Sequence, residues 1–177
     1  MSADHLRKHI IFVPQDPTLF NRSIKENIAY GEPEMSLEEI TLAAKMAYAH
    51  DFINNIPEKY DYIVGERGCN LSGGQRQRIL LARAFMRPNA SIVLLDEATA
   101  ALDAISERHL QKTLGLLMQE KTAIMITHKL SSTRMLDRIL VFKDGQIIED
   151  GKHEDLLEMQ GVYANLWHLQ SESVFPN

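Results

Sequence analysis

An α/β fold built on a parallel sheet is predicted by two unbroken apolar runs and the helix between them. Ser91-Ile92-Val93-Leu94-Leu95 ends in Asp96-Glu97, and Thr122 to Thr127 ends at His128. Residues 104–119 carry a helical pattern, with Asp103 placed to cap it. Strands covered on both faces lose the in–out alternation of a half-exposed strand and read as continuous Val, Ile and Leu. Two of them joined by a helix of this length make a βαβ unit. The third observation is Leu71-Ser72-Gly73-Gly74-Gln75, which opens the helical run that ends near Phe85. Paired glycines at a helix start leave the backbone open to close approach.

The remaining elements follow in order. His9 to Val13 reads as a short buried strand, stopped by Pro14-Gln15-Asp16-Pro17. Ser23 with Glu26, and Ser36 with Glu39, match the capping box that satisfies free donors at a helix start. Apolar residues keep helical spacing from Leu37 to Ile53, and Asn54-Asn55-Ile56-Pro57 ends that segment. Beyond the βαβ unit, 138–142 and 146–150 flank Lys143-Asp144-Gly145, a hairpin signal. Two short helices, 154–159 and 162–168, close the chain. The expected division is a core strand at 1–15, a helix-rich region at 16–87, an α/β core at 88–150 and closing helices at 151–177.

Composition narrows the class. With 45% hydrophobic and 24% charged residues the chain is globular, which excludes disordered and fibrous proteins. A net charge of -5 argues against nucleic acid as a partner. Cys69 is the single cysteine, so no internal disulfide forms. No leader pattern and no membrane-length apolar run occurs, so a membrane role requires a partner or a segment outside these residues.

Ligands of parallel α/β sheets sit beyond the carboxyl ends of the strands. Here those ends are Gln15, Asp96 with Glu97, and His128. An Asp-Glu pair after four apolar residues fits a Walker B pair, with Asp96 holding magnesium and Glu97 orienting or deprotonating a water. Ser72, Gly73 and Gly74 present backbone N–H groups and the positive end of a helix dipole, which suits a phosphate. The alternative is an ordinary helix cap by Ser72 with a glycine turn. Arg76, Arg83 and Arg87 share one helical face and are expected to be solvated, with no catalytic role. Cys69 is expected to be a filler rather than a reactive thiol.

In order, these motifs resemble the ATP-binding domain of ABC transporters. LSGGQ at 71–75 is similar to the family signature, and IVLLDE at 92–97 to its Walker B. AALD at 100–103 resembles the D-loop, although Ala100 stands where serine is frequent. His128 resembles the switch histidine, Gln15 the Q-loop glutamine, and VGERG at 64–68 a loop of exporter-type members. The resemblance implies ATP hydrolysis with Mg2+ across a head-to-tail dimer of ATP-binding domains, on the cytoplasmic side of a membrane. Asp96 and Gln15 would then serve the metal, and Glu97 and His128 the attacking water and γ-phosphate. Ser72, Gly73, Gly74 and Gln75 would grip the nucleotide of the opposite subunit, and Asp103 would link the two sites. Gln15 would also couple to the transmembrane partner.

One family element is missing from the sequence. The P-loop, G-x-x-x-x-G-K-[ST], should precede Gln15, but the fourteen residues before it contain no glycine. Gly145 to Lys152 imitates the motif with one residue too many, and His153 stands where Ser or Thr should follow. The expectation is therefore the C-terminal part of an ATP-binding domain, beginning after the phosphate-binding segment. Such a part would have little activity alone and would self-associate. The rival expectation is a non-catalytic module that supplies its signature motif in trans to a complete ATPase.

Overall fold

The computed structural model describes residues 3–32, 34–97 and 104–174. They fold as two compact units, Met1–Ile126 and Thr127–Asn177. The first holds helix α1 (Ala3–His9), which the sequence did not announce, then β1 (Ile10–Val13), α2 (Ile24–Ile28), α3 (Leu37–Met46) and α4 (His50–Asn54). It continues with α5 (Gly73–Phe85), β2 (Ile92–Asp96), α6 (Ala104–Met118) and β3 (Thr122–Ile126). The three strands form a parallel sheet in the order β1-β2-β3, so the expected βαβ unit is present.

Register decides what each side of this sheet meets. Val13 pairs with Leu95 and Leu95 with Met125, while Phe12, Leu94 and Ile124 align on the opposite face. Ile11, Val13, Val93 and Leu95 are buried in a core that also takes Ile79 and Leu81 of α5 and Leu110, Leu114 and Leu117 of α6. The other face stays open: Phe12 is 60% exposed, Ile124 56% and Ile126 62%. Only one face of these strands is therefore covered among the described residues, although their sequence suits burial on both.

Both expected capping boxes form. Ser23 Oγ accepts from the Glu26 N–H while Glu26 takes back the Ser23 N–H, and Ser36 with Glu39 repeats the arrangement. The continuous helix expected over 37–53 is broken. Tyr48 adopts a left-handed φ of 52° between buried Ala47 and Ala49, and α4 restarts at His50. The interruption is held from other elements: the Tyr48 ring stacks on His109 at 4.1 Å, and the Arg78 guanidinium donates to the Tyr48 carbonyl at 3.2 Å. Hydrophobic spacing persists through such a break, so periodicity alone could not reveal it.

The second unit contains the hairpin of β4 (Ile139–Lys143) and β5 (Gln146–Gly151), then α7 (His153–Glu158) and α8 (Val162–Val174). Asp144 and Gly145 have φ of 50° and 78°, the pair of positive values that a tight two-residue hairpin turn requires. The P-loop imitation at 145–152 is thus a turn and a strand, as its sequence context indicated. Helix α8 runs beyond the expected end at His168. The small core of this unit is Leu130, Ile139, Leu156 and Tyr163.

Candidate functional site

Gln15 and the Asp96-Glu97 pair come together because β1 and β2 are parallel neighbours whose carboxyl ends lie side by side. Gln15 Nε2 donates to Glu97 Oε2 at 2.6 Å. The Glu97 N–H donates to the Ile126 carbonyl at 2.9 Å, which anchors it at the end of β3, and its φ is 44°. A positive φ on a residue without a glycine's freedom is uncommon and gathers at functional turns.

Ser72 starts α5 with a third capping box. Its hydroxyl accepts from the Gln75 N–H at 3.2 Å, and Gln75 Oε1 accepts from the Ser72 N–H at 2.8 Å. The cap reading of Ser72 is therefore correct as local structure, and it assigns Gln75 a structural task. The cap does not account for Gly73. A Cβ there would meet only the Arg76 guanidinium, at 3.9 Å, and φ is not left-handed. Gly65 and Gly68 differ, with φ of +76° and +77° and a Cβ at Gly68 falling 2.7 Å from Arg76 Cδ. Those two glycines serve the chain's own turn, whereas packing of the described residues does not demand Gly73.

Arg76 and Arg83 of α5, with Arg87 just beyond its end, correct the expectation of a solvated face. Arg76 donates to the Leu71 carbonyl at 2.6 Å and to the Pro17 carbonyl at 3.2 Å, joining the signature helix to the segment that follows Gln15. Arg83 donates to the Asn27 carbonyl at 2.7 Å and to Asn27 Oδ1 at 3.1 Å. Its guanidinium also lies over the Phe20 and Tyr30 rings, which stack on one another at 4.3 Å. Burial pushes the Arg83 guanidinium down to about 10, with the opposing effect of Tyr30 smaller. Arg87 donates to the Ile10 carbonyl at 2.9 Å and also to that of Arg7. Each fork therefore holds a backbone carbonyl of the β1-to-α2 segment. A signal was available: Leu80 falls between Arg76 and Arg83 on the same helical face, and it is buried.

His128 belongs to the second unit, where its side is exposed and its carbonyl accepts from Gln170 Nε2 at 2.6 Å. Asp103, with the rest of the 98–103 turn, lies outside the described residues. Cys69 is exposed, and its thiol makes a long 3.5 Å contact with Asn70 Oδ1. Among the described residues no helix is long and apolar enough to cross a membrane, and no cluster of His, Cys, Asp and Glu side chains forms a metal cage.

Strand-end carboxylates on a parallel sheet, a helix opened by paired glycines, and a glutamine bonded to Glu97 point to an ATP-binding domain of the ABC class. The ABC transporter family model matches residues 1–100, and the chain belongs to this family. Among relatives, it is 54% identical over 162 residues to an ATP-dependent lipid A-core flippase of Acinetobacter baylyi, covering 91% of this chain and 28% of that protein. It is 47% identical over 161 residues to multidrug resistance protein homolog 65 of Drosophila melanogaster, covering 91% of this chain and 12% of the relative. A solved bacterial Atm1-family ABC exporter with ATP bound superimposes with a TM-score of 0.88 at 44% identity, over 93% of this chain and 29% of that one. The chain thus spans less than a third of the length of each of these proteins.

Proposed function

We propose that these residues form the part of an exporter-type ABC ATPase that activates the attacking water, couples to the membrane partner and presents the signature motif. The observation that carries this reading is the Gln15–Glu97 hydrogen bond at the carboxyl ends of β1 and β2. Glu97 is assigned the attacking water, His128 the water and γ-phosphate, and Gln15 the link to transmembrane segments. Ser72, Gly73, Gly74 and Gln75 are assigned to the nucleotide of a second ATP-binding domain, in a head-to-tail dimer. The unforced glycine at 73 supports this, because open backbone that the fold does not require is available to an outside phosphate. Asp103 is assigned to communication between the two sites.

The residues present fit a magnesium ion. Mg2+ takes hard oxygen ligands, keeps several waters, and needs only one or two protein donors beside the phosphates. Asp96 offers a carboxylate at the end of β2, and Gln15 offers its amide oxygen while the amide nitrogen is engaged by Glu97. Bound there, the ion would neutralise charge on the phosphates. Gln15 would meanwhile hold Glu97, so one carboxamide serves both the metal and the base.

Hydrolysis also requires a P-loop to cradle the β- and γ-phosphates, and the 177 residues contain no such motif. Steady-state ATPase measured on this chain is therefore expected to be negligible and indistinguishable from a Glu97→Gln control. Turnover that disappears in that control would refute this. In a full-length ATPase bearing these residues, Glu97→Gln should abolish turnover yet leave ATP-dependent dimers intact, because the phosphate grip survives. Wild-type turnover in that variant would remove the assignment of Glu97.

A further inference from the structure

We infer that Gln170 is a positioning residue for His128, an inference that rests on His128 acting at the γ-phosphate. Residues 127–129 lie between the end of β3 at Ile126 and the helical turn that begins at Leu130, and side chains bond to their backbone. Gln170 Nε2 donates to the His128 carbonyl at 2.6 Å, and Gln170 Oε1 accepts from the Leu130 N–H at 2.9 Å. One carboxamide therefore grips the backbone on both sides of Lys129. Thr127 Oγ1 accepts from the Lys129 N–H at 2.9 Å, and Thr133 Oγ1 donates to the Leu130 carbonyl at 2.8 Å. The peptide groups following His128 are thus fixed, and its Cα–Cβ direction with them.

Only an amide does both jobs at position 170. A carboxylate has no donor for the His128 carbonyl at neutral pH, and an ammonium has no acceptor for the Leu130 N–H. The support behind Gln170 is firm. Two turns earlier on the same face of α8, Tyr163 is buried, and its hydroxyl is 2.7 Å from both His153 Nδ1 and Thr133 Oγ1. The start of α8 is held by Glu149 of β5, whose carboxylate accepts from the N–H groups of Val162 and Tyr163. The closing helix therefore reaches back to the His128 loop through the Gln170 carboxamide, and the sequence gives no hint of it.

Two measurements test this. On this chain, Gln170→Ala should raise amide hydrogen exchange at Leu130 by about tenfold or more while the β4–β5 hairpin amides stay protected. Ser171→Ala, which removes only a bond back to Trp167 within α8, should change neither. In a full-length ATPase bearing these residues, Gln170→Ala and Gln170→Glu should lower kcat about three- to thirtyfold, with KM for ATP within about twofold, and Ser171→Ala should behave as wild type. His128→Ala is the reference: normal turnover there would overturn the role of His128 itself. Slow turnover in His128→Ala with normal turnover in Gln170→Ala, or unchanged Leu130 exchange, would overturn the positioning role. If Gln170→Ala also exposes the hairpin amides, the Glu variant decides: it keeps the acceptor for Leu130, and normal kcat in it would overturn the inference.

Discussion

Gly68 and Gly73 answer to different demands. At Gly68 a methyl group would strike the Arg76 stem and sit on a left-handed backbone, whereas at Gly73 it would meet only the Arg76 guanidinium, at an ordinary contact distance. Gly68→Ala should therefore cost about 2 kcal/mol or more, from backbone strain and from disturbing the arginine that bonds Pro17 and Leu71. Gly73→Ala should leave the chain at least as stable, since alanine is the better helix former by about 0.5–1 kcal/mol. Urea denaturation of the two variants checks both signs. Equal losses would mean that Gly73 is needed by the fold after all, and the case for a visitor at its backbone would lapse. The α5 arginines belong at this scale too. Each binds a specific carbonyl, so a lysine substitution would keep the charge and lose the fork.

At the scale of elements, the capping boxes make α2 and α3 sensitive to acid. The Ser23 hydroxyl, and then its N–H, hold the Glu26 carboxyl below its ordinary value of 4.5; for Glu39 the Ser36 N–H leads and the hydroxyl follows. A carboxyl depressed in the folded state contributes stability that is complete above its unfolded value. That contribution disappears as pH falls through the lower folded value. A Glu26→Gln, Glu39→Gln double variant keeps both boxes, because glutamine also serves at that position, but removes the titration. Its stability, followed by urea titration, should decline less than wild type between about pH 5 and pH 2. Parallel acid limbs in the two proteins would show that these caps do not contribute to the pH dependence.

For the whole molecule, the open side of the parallel sheet dominates. Phe12, Ile124 and Ile126 stand exposed on one face, and β1 and β3 are the outer strands among those described. Covering a large aliphatic or aromatic side chain is worth about 1.5–3 kcal/mol, so a few such residues rival the stability of an ordinary domain. Outer strands also carry unpaired backbone groups that another chain can meet. The chain on its own is therefore expected to self-associate through this surface. Light scattering over a dilution series should show a mass above the monomer that falls on dilution, is insensitive to MgATP, and drops in Phe12→Lys and Ile124→Lys. A monomer at every concentration that binds no hydrophobic dye would contradict this.

The parallel α/β class, the capping boxes and the hairpin turn were legible in the sequence, because each rests on residues close together in the chain. Ser23 and Glu26 find one another within a single helical turn, and Asp144-Gly145 needs no distant partner to form its turn. Strand ends carrying Gln, Asp, Glu and His likewise suggested a site, and of these the structure bonds Gln15 to Glu97. What only the tertiary structure decided involves partners far apart. The break at Tyr48 depends on His109 and Arg78, and the arginines of α5 and just beyond it are covered because they meet the carbonyls of Pro17, Asn27 and Ile10. The hold of Gln170 on the His128 loop spans 42 residues. Periodicity and local propensity report how a segment treats its own backbone and its own face. They carry no information about which distant carbonyl a long polar side chain will reach, since that is fixed only when the elements pack.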